Sequence, residues 1–315
     1  MDQSYELEMM RAWKMPSRDE VEQAILTTLF HHNGVVKEFH SKESVVDEIA
    51  EIFHLTKEQR TAQLQTFYHK ENRVKYSGLW HRLLFRAADQ LAKKELISRP
   101  SETLKLTEKR EWMLKERGFE EAARLLSLST GIASTLPVKT FEVQEEMAQL
   151  KSLSLPLEYN PQKIQKEVSL TPPRKIQLRR RGFRLAIIEA YDYRCAVCGL
   201  KLPSPNGLTW EVEAAHIVPF REKGKDDLWN GLALCRFHHW AFDAGWFTMD
   251  EKYQIFVAPS VSPIKEIGFC HGMDMLQNLR ATTILYLPNN KNWFPHPNAL
   301  KWHQKHVFAR HNPSV

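Results

Sequence analysis

No run of about 18 apolar residues occurs in the chain, so there is no candidate for a membrane-spanning helix. An apolar leader is missing too. Met1 to Trp13 carries Asp2, Glu6, Glu8 and Arg11 where a signal peptide would be hydrophobic, and a cytoplasmic protein without membrane association is expected. Cysteine is scarce, with 4 in 315 residues. Three of the four fall in short clamps, a pattern that in a reducing compartment indicates metal ligation and not a disulfide framework. Cys270 stands apart and reads as a small, partly buried residue. No internal repeat and no methyltransferase motif is visible. Charge is nearly balanced, with 44 Lys and Arg against 38 Asp and Glu, a net +6 and a pI near 9.0. That excess permits a polyanionic partner without requiring one.

Apolar residues make up 43% of the sequence and nine are Trp, as in a folded protein long enough for two ordinary domains. Residues 15 to 120 are rich in helix formers and poor in Gly and Pro. Pro16-Ser17-Arg18-Asp19-Glu20 predicts a helix start, followed by Val21, Ile25, Leu26 and Leu29 at helical spacing and a stop at His31-His32-Asn33-Gly34. Val45, Val46, Ile49, Ile52 and Phe53 define a second helix, with Ser41 and Ser44 as candidate caps. Leu79, Leu83, Ala87, Ala88 and Leu91 define a third, which carries Arg82, Arg86, Lys93 and Lys94 against Asp89 alone. Leu96–Pro100 and Thr103–Thr107 then read as two short strands around a turn. Three helices followed by a basic hairpin is the order of a winged helix.

From Ser127 to about Pro173, Ser, Thr, Gln, Pro and Glu dominate and apolar spacing is lost, which predicts a linker with a short helix around Val143–Lys151. Residues 171 to 194 carry Arg174, Lys175, Arg179, Arg180, Arg181, Arg184 and Arg194 against Glu189 and Asp192. Such a cluster suits a phosphate backbone, and equally a solvated helix face.

Two four-residue clamps follow, Cys195 with Cys198 and Cys235 with His238. Two short loops that each supply a pair of soft or borderline ligands satisfy tetrahedral zinc with little strain. Four protein ligands close the site to water, so this zinc would be structural. Trp246–Thr248 and Tyr253–Pro259 read as strands around an Asp250-Glu251-Lys252 turn. Trp293, His296, Trp302, His303 and His306 read as packing at the end of a small domain, with a further metal or nucleic-acid surface as the alternative.

The N-terminal hundred residues resemble the winged-helix module of Mrr-type restriction proteins, including the closing Leu-Lys-Leu-Thr-Glu-Lys at 104–109. By that resemblance Arg82, Arg86 and Arg99 are candidate DNA contacts. Between and beside the clamps, His216, Asn230 and His239 are separated by 14 and 9 residues. With Phe183-Arg184, Tyr191, Ala214-Ala215-His216-Ile217, Asn230-Gly231-Leu232, Phe242-Asp243-Ala244-Gly245, Pro295-His296-Pro297 and Trp302-His303, they resemble HNH restriction endonucleases over roughly Gln177 to Phe308.

That resemblance implies a ββα-metal core: strands at Val212–Val218 and Gly231–Leu234, and a helix from His239 to Gly245. It implies His216 as general base, Asn230 as the residue holding the hairpin loop, and His239 as ligand to a catalytic Mg²⁺ or Mn²⁺. Asp243, one helical turn on, would share that cation. Many relatives carry an Asp or His ligand where this chain has Ala215, and Glu213 is the nearest substitute. The expectation is therefore an α+β protein with a winged helix at 1–126, a linker at 127–173 and a zinc-supported HNH domain at 174–315. It would cut double-stranded DNA as a homodimer, with Arg179, Arg180 and Arg181 as further DNA contacts. Recognition of methylated DNA and of an unmodified palindrome both stay open. The alternative, favoured by Ala215, is a non-catalytic DNA-binding regulator with a zinc-stabilised dimerisation domain.

Overall fold

The computed structural model describes residues 3–39, 44–68, 73–129, 133, 135–163, 173–207, 209–258, 279 and 285–311. Ser41 and Cys270 lie outside them. The chain divides into two compact units, Met1–Gln144 and Glu145–Val315. Among the described residues no helix is long and apolar enough to cross a membrane.

The first unit begins with helix α1 (Gln3–Ala12) and helix α2 (Arg18–His31). Ser17 caps α2 in a reciprocal box: its hydroxyl accepts from the Glu20 amide at 3.3 Å while the Glu20 carboxylate accepts from the Ser17 amide at 2.8 Å. Strand β1 (Val35–Lys37), α3 (Ser44–Ile52), α4 (Lys57–Thr61), β2 (Gln63–Tyr68), β3 (Arg73–Gly78) and α5 (Leu79–Lys93) follow. Then come β4 (Ile97–Ser98), α6 (Pro100–Thr107), β5 (Glu111–Leu114) and α7 (Glu116–Leu125). The antiparallel sheet runs β1-β5-β4, and α2, α3 and α5 bury their apolar faces against it in one core with Phe39, Trp80 and Trp112.

The three predicted helices are present, but the predicted hairpin is not. Thr103–Thr107 belongs to α6, where Pro100 at the first helical position presets φ and Glu102 accepts from the Arg99 amide at 2.7 Å. The partner of β4 is Glu111–Leu114, whose Trp112, Met113 and Leu114 are buried. A short amphipathic helix with one exposed leucine, Leu104, mimics strand alternation. The β2–β3 hairpin was not anticipated; it lies in a stretch whose polarity hides the pairing.

The expected linker is largely built into structure. Val138 and Ala133 join the first core, and the Lys139 amide donates to the Asn33 carbonyl at 2.8 Å. Helix α8 (Phe141–Ser152) matches the predicted short helix and extends it. In the second unit Tyr159 is buried, and Asn298 donates to its carbonyl at 2.9 Å.

Helix α9 (Pro173–Ala190), β6 (Val212–His216), β7 (Gly231–Cys235), α10 (Arg236–Asp243), β8 (Phe247–Met249), β9 (Ile255–Val257) and α11 (Pro297–His303) complete that unit. The two strands and helix expected around the clamps are all present: both strands start where expected and end within two residues of the expected ends, and the helix starts three residues earlier, at Arg236. His303 is buried under α10: its ring stacks on Phe242 at 3.6 Å, and its two nitrogens meet the Phe242 carbonyl at 3.1 Å and the Thr248 hydroxyl at 3.0 Å. Burial drives the His303 imidazole down to about 3, so it packs as a neutral ring.

Candidate functional site: a hairpin and helix beside a Cys3His cluster

Strands β6 and β7 pair antiparallel with Val212 opposite Cys235 and His216 opposite Gly231. The register sets the chain's chemistry at the two ends of one short ladder: Cys235 at one, His216 at the other. Helix α9 crosses the hairpin so closely that a β-carbon on Gly231 would come within 2.3 Å of Ile187 and 3.0 Å of Phe183. The Asn230-Gly231 pair is thereby explained by packing.

Asn230 is fully buried in the loop between the strands. Its side-chain oxygen accepts from the Val218 amide at 2.8 Å, and its amide nitrogen donates to the carbonyls of Val218 at 3.1 Å and Lys225 at 2.9 Å. Gly224 closes the same loop, where a β-carbon would sit 1.8 Å from the Val218 carbonyl. One side chain thus ties both ends of the 218–230 loop together next to His216.

The ligating atoms of Cys195, Cys198, Cys235 and His238 all lie within 4.8 Å of one another. Cys198 Sγ is 4.0 Å from Cys235 Sγ, and His238 Nδ1 is 3.6 Å from Cys195 Sγ and 3.1 Å from Cys235 Sγ. Zn–S bonds of about 2.3 Å and Zn–N bonds of about 2.0 Å require separations of this order in a tetrahedron, so the donor set could hold zinc. Hydrogen bonds from Cys198 and Cys235 drive the Cys195 thiol far below its ordinary range. Burial alone would lower the His238 imidazole, but the neighbouring thiols push it up to about 9. Hydrogen bonds with Cys195 and Cys198, and burial, push the Cys235 thiol the other way, so in the metal-free cluster Cys195 is the thiol held ready for a cation.

His216 lies at the end of β6, its ring stacked on Phe183 at 4.1 Å. Its Nε2 is 3.0 Å from Asp226 Oδ1, and the other oxygen of Asp226 accepts from Lys163 Nζ at 2.5 Å. The Asp226 side chain is 5% exposed. Burial pushes its carboxyl up, but the hydrogen bonds from His216 and Lys163 outweigh that, and it is held below the usual carboxylate range. Asp227, next in sequence, accepts from the Tyr159 hydroxyl at 2.6 Å and from the Asn230 amide at 3.2 Å. Nothing in the spacing singled out Asp226 or Lys163. The only signal was a pair of acids shortly before Asn230, and Lys163 sits in the stretch that reads as linker.

His239 is the fourth residue of α10. Its Nδ1 is 3.1 Å from Glu213 Oε2 on β6, and its Nε2 is 3.7 Å from Asp243 Oδ2 one turn along the helix. Glu213 therefore contacts the nitrogen that faces away from Asp243. Desolvation holds the half-exposed Asp243 carboxyl above its usual range, although His239, Arg221 and His216 all draw it down. Those three side chains are accordingly its electrostatic neighbours. Ala215 is fully buried opposite Leu232 and offers nothing to a cation. Among the described residues the Cys3His set alone brings three or more candidate ligand atoms together, so a cation at His239 and Asp243 would have two protein ligands and keep positions for water and phosphate oxygens.

The candidate DNA contacts fall into two groups. Arg82 and Arg86 both engage the buried carboxylate of Glu6, at 2.9 and 2.5 Å, and Arg99 engages Asp89 at 2.7 Å. Arg179 and Arg180 are exposed on α9, and the Arg180 guanidinium carbon lies 3.9 Å from the centre of the Phe220 ring. Arg181, one residue on, is 7% exposed, so the expected run of three surface arginines is two: on a helix the third turns into the core.

Residues 195–250 match the family described as HNH endonuclease, and the chain contains an HNH endonuclease domain over that span. A solved structure titled "Modification dependent TagI restriction endonuclease" is similar at 20% identity, with a TM-score of 0.31 over 46% of this chain and 44% of that one. This chain thus spans less than half the length of that protein. No curated protein matches.

Proposed function

We propose that the protein is a DNA endonuclease of the restriction type that hydrolyses phosphodiester bonds of double-stranded DNA. The observation that carries this reading is the pairing, on one β-hairpin and its helix, of a carboxylate-held histidine with a separate His–Asp pair: His216 with Asp226, and His239 with Asp243. A purely structural zinc module has no use for either.

In the mechanism, Asp226 occupies Nε2 of His216, which leaves Nδ1 as the nitrogen able to take a proton from water. Lys163 keeps Asp226 ionised, and Asp226 in turn favours the imidazolium that forms. Phe183 fixes the ring plane, and Asn230 fixes the backbone on which His216 rides. Glu213 at Nδ1 of His239 orients that ring so that Nε2 and Asp243 would hold Mg²⁺ or Mn²⁺, the usual role of a carboxylate behind a ligating histidine. Bound there, the divalent cation would neutralise charge developing on the phosphate. Zinc on Cys195, Cys198, Cys235 and His238 would be structural, tying α9's end to the β7–α10 junction.

The N-terminal unit is read as a winged helix that holds or selects the duplex, a reading supported by its helices and by the strand order β1-β5-β4. One HNH site cuts one strand, so a double-strand break calls for two protomers, and a homodimer is proposed. Dependence on base methylation is part of the same proposal. Plasmid incubation with Mg²⁺ or Mn²⁺, using methylated and unmethylated DNA, tests it. Cleavage that His216→Ala abolishes at unchanged zinc content supports the reading, and undiminished cleavage by that variant refutes the assignment of the base.

A further inference from the structure

A cleft of about 820 Å³ opens beside His216, within the range of about 300–1,000 Å³ typical of ligand sites. Asp226, the residue that holds His216, forms part of its lining, which places the cleft one side chain from the candidate base. Leu150 and Leu153 supply an apolar wall, and Arg179 and Lys225 line the cleft as well.

Phe220 lines it too and is 39% exposed, an unusual place for a large apolar ring. Arg180 lies over that ring at 3.9 Å and Lys163 at 5.0 Å. A guanidinium held over an aromatic ring by cation–π attraction still has N–H donors to offer a phosphate. Among the described residues none of Arg179, Arg180 and Lys225 is in an ion pair. That sets them apart from Arg82, Arg86 and Arg99, whose charge is already met by Glu6 and Asp89. Glu146, Asp226 and Asp227 also line the cleft, but Asp226 is engaged by Lys163 and His216, and Asp227 by the Tyr159 hydroxyl. Arg179, Arg180 and Lys225, in no ion pair among the described residues, then suit an anion joined to an uncharged sugar beside the apolar wall. The phosphodiester backbone has that chemistry.

We propose that this cleft is a backbone subsite for the DNA strand beside the cleavage position. Arg179, Arg180 and Lys225 contact its phosphates, and Phe220, Leu150 and Leu153 face the deoxyribose between them. The proposal rests on the endonuclease reading for the identity of the ligand, and it adds where the strand lies.

The test is equilibrium binding of a duplex to the full-length, zinc-loaded protein without Mg²⁺ or Mn²⁺, over a series of salt concentrations. Each phosphate that the protein ceases to neutralise lowers the slope of log K against log salt by about 0.9. The triple variant Arg179→Ala/Arg180→Ala/Lys225→Ala is expected to flatten the slope by about 2–3 and to weaken binding at least about tenfold at about 0.1 M salt. Arg180→Lys should retain most of the slope. Unchanged zinc content and thermal midpoint would show that the triple variant is folded, and a folded triple variant with parental slope and affinity overturns the proposal. Because the assay involves no cleavage, the two readings fail separately: a parent that never cuts but whose variant shows the flattened slope keeps the subsite and sinks the nuclease. A parent that cuts while the variant binds as before does the reverse.

Discussion

Asp226 Oδ1 lies 3.0 Å from His216 Nε2, and the same carboxylate is pinned from its other side by Lys163. This relationship commits one imidazole nitrogen to a buried acid and, in the proposed mechanism, leaves the other for substrate. Asp226→Asn keeps the shape but not the charge. It is expected to lower kcat by about 10²–10⁴, as removal of the carboxylate behind a histidine base does elsewhere, with DNA affinity unchanged within about twofold. Single-turnover cleavage and equilibrium duplex binding read both, and unaltered rates would remove Asp226 from the mechanism.

Cys235→Ser is expected to abolish stoichiometric zinc, measured by elemental analysis, and to lower the thermal midpoint of the second unit. The cluster joins the end of β7 to the start of α10, and apparent binding free energies for structural zinc are about 10–16 kcal/mol. Retained zinc would mean that the ion sits elsewhere.

Asn230→Ala removes the partner of three backbone groups in a fully buried loop. Each orphaned group costs about 1–3 kcal/mol, so a destabilisation of at least about 2 kcal/mol is expected by urea unfolding. Full stability with abolished cleavage would instead assign Asn230 a direct chemical role.

Glu6→Gln tests the N-terminal arginines. Glu6 engages both Arg82 and Arg86, so a phosphate reaching them must displace it. If they contact DNA, Glu6→Gln raises duplex affinity by several-fold. If their role is to dock α1 on α5, the variant lowers stability and leaves affinity alone. Parallel melting and binding curves separate the two.

His303, 2% exposed, is neutral in the folded state with its imidazole near 3, while an unfolded chain titrates it near 6.5. Above about pH 6.5 both states are neutral and stability is unaffected. As pH falls from about 6.5 towards 3 the unfolded state takes up the proton first, and stability drops by up to about 5 kcal/mol. His303→Leu should flatten this part of the stability–pH curve, measured by urea unfolding at each pH. An unchanged slope would place the acid sensitivity elsewhere.

The amino-acid sequence by itself determined the ββα unit, the four-membered Cys/His cluster and the three helices of the first unit. These depend on local patterns: clamp spacing, the spacing of His216, Asn230 and His239, apolar residues every three to four positions. Register then carried His216 and Cys235 to opposite ends of one hairpin. Only tertiary structure decided what stands behind each histidine. Asp226 and Glu213 are 10 and 26 residues from their partners, and Lys163 comes from a stretch without periodicity. It also decided which arginines keep an open charge, since Glu6 reaches Arg82 across 76 positions while Arg180 lies over the Phe220 ring and, among the described residues, is in no ion pair. Spacing encodes contacts within a turn or a strand pair. A hydrogen bond closed by two distant loops depends on how cores pack, and no short pattern records it.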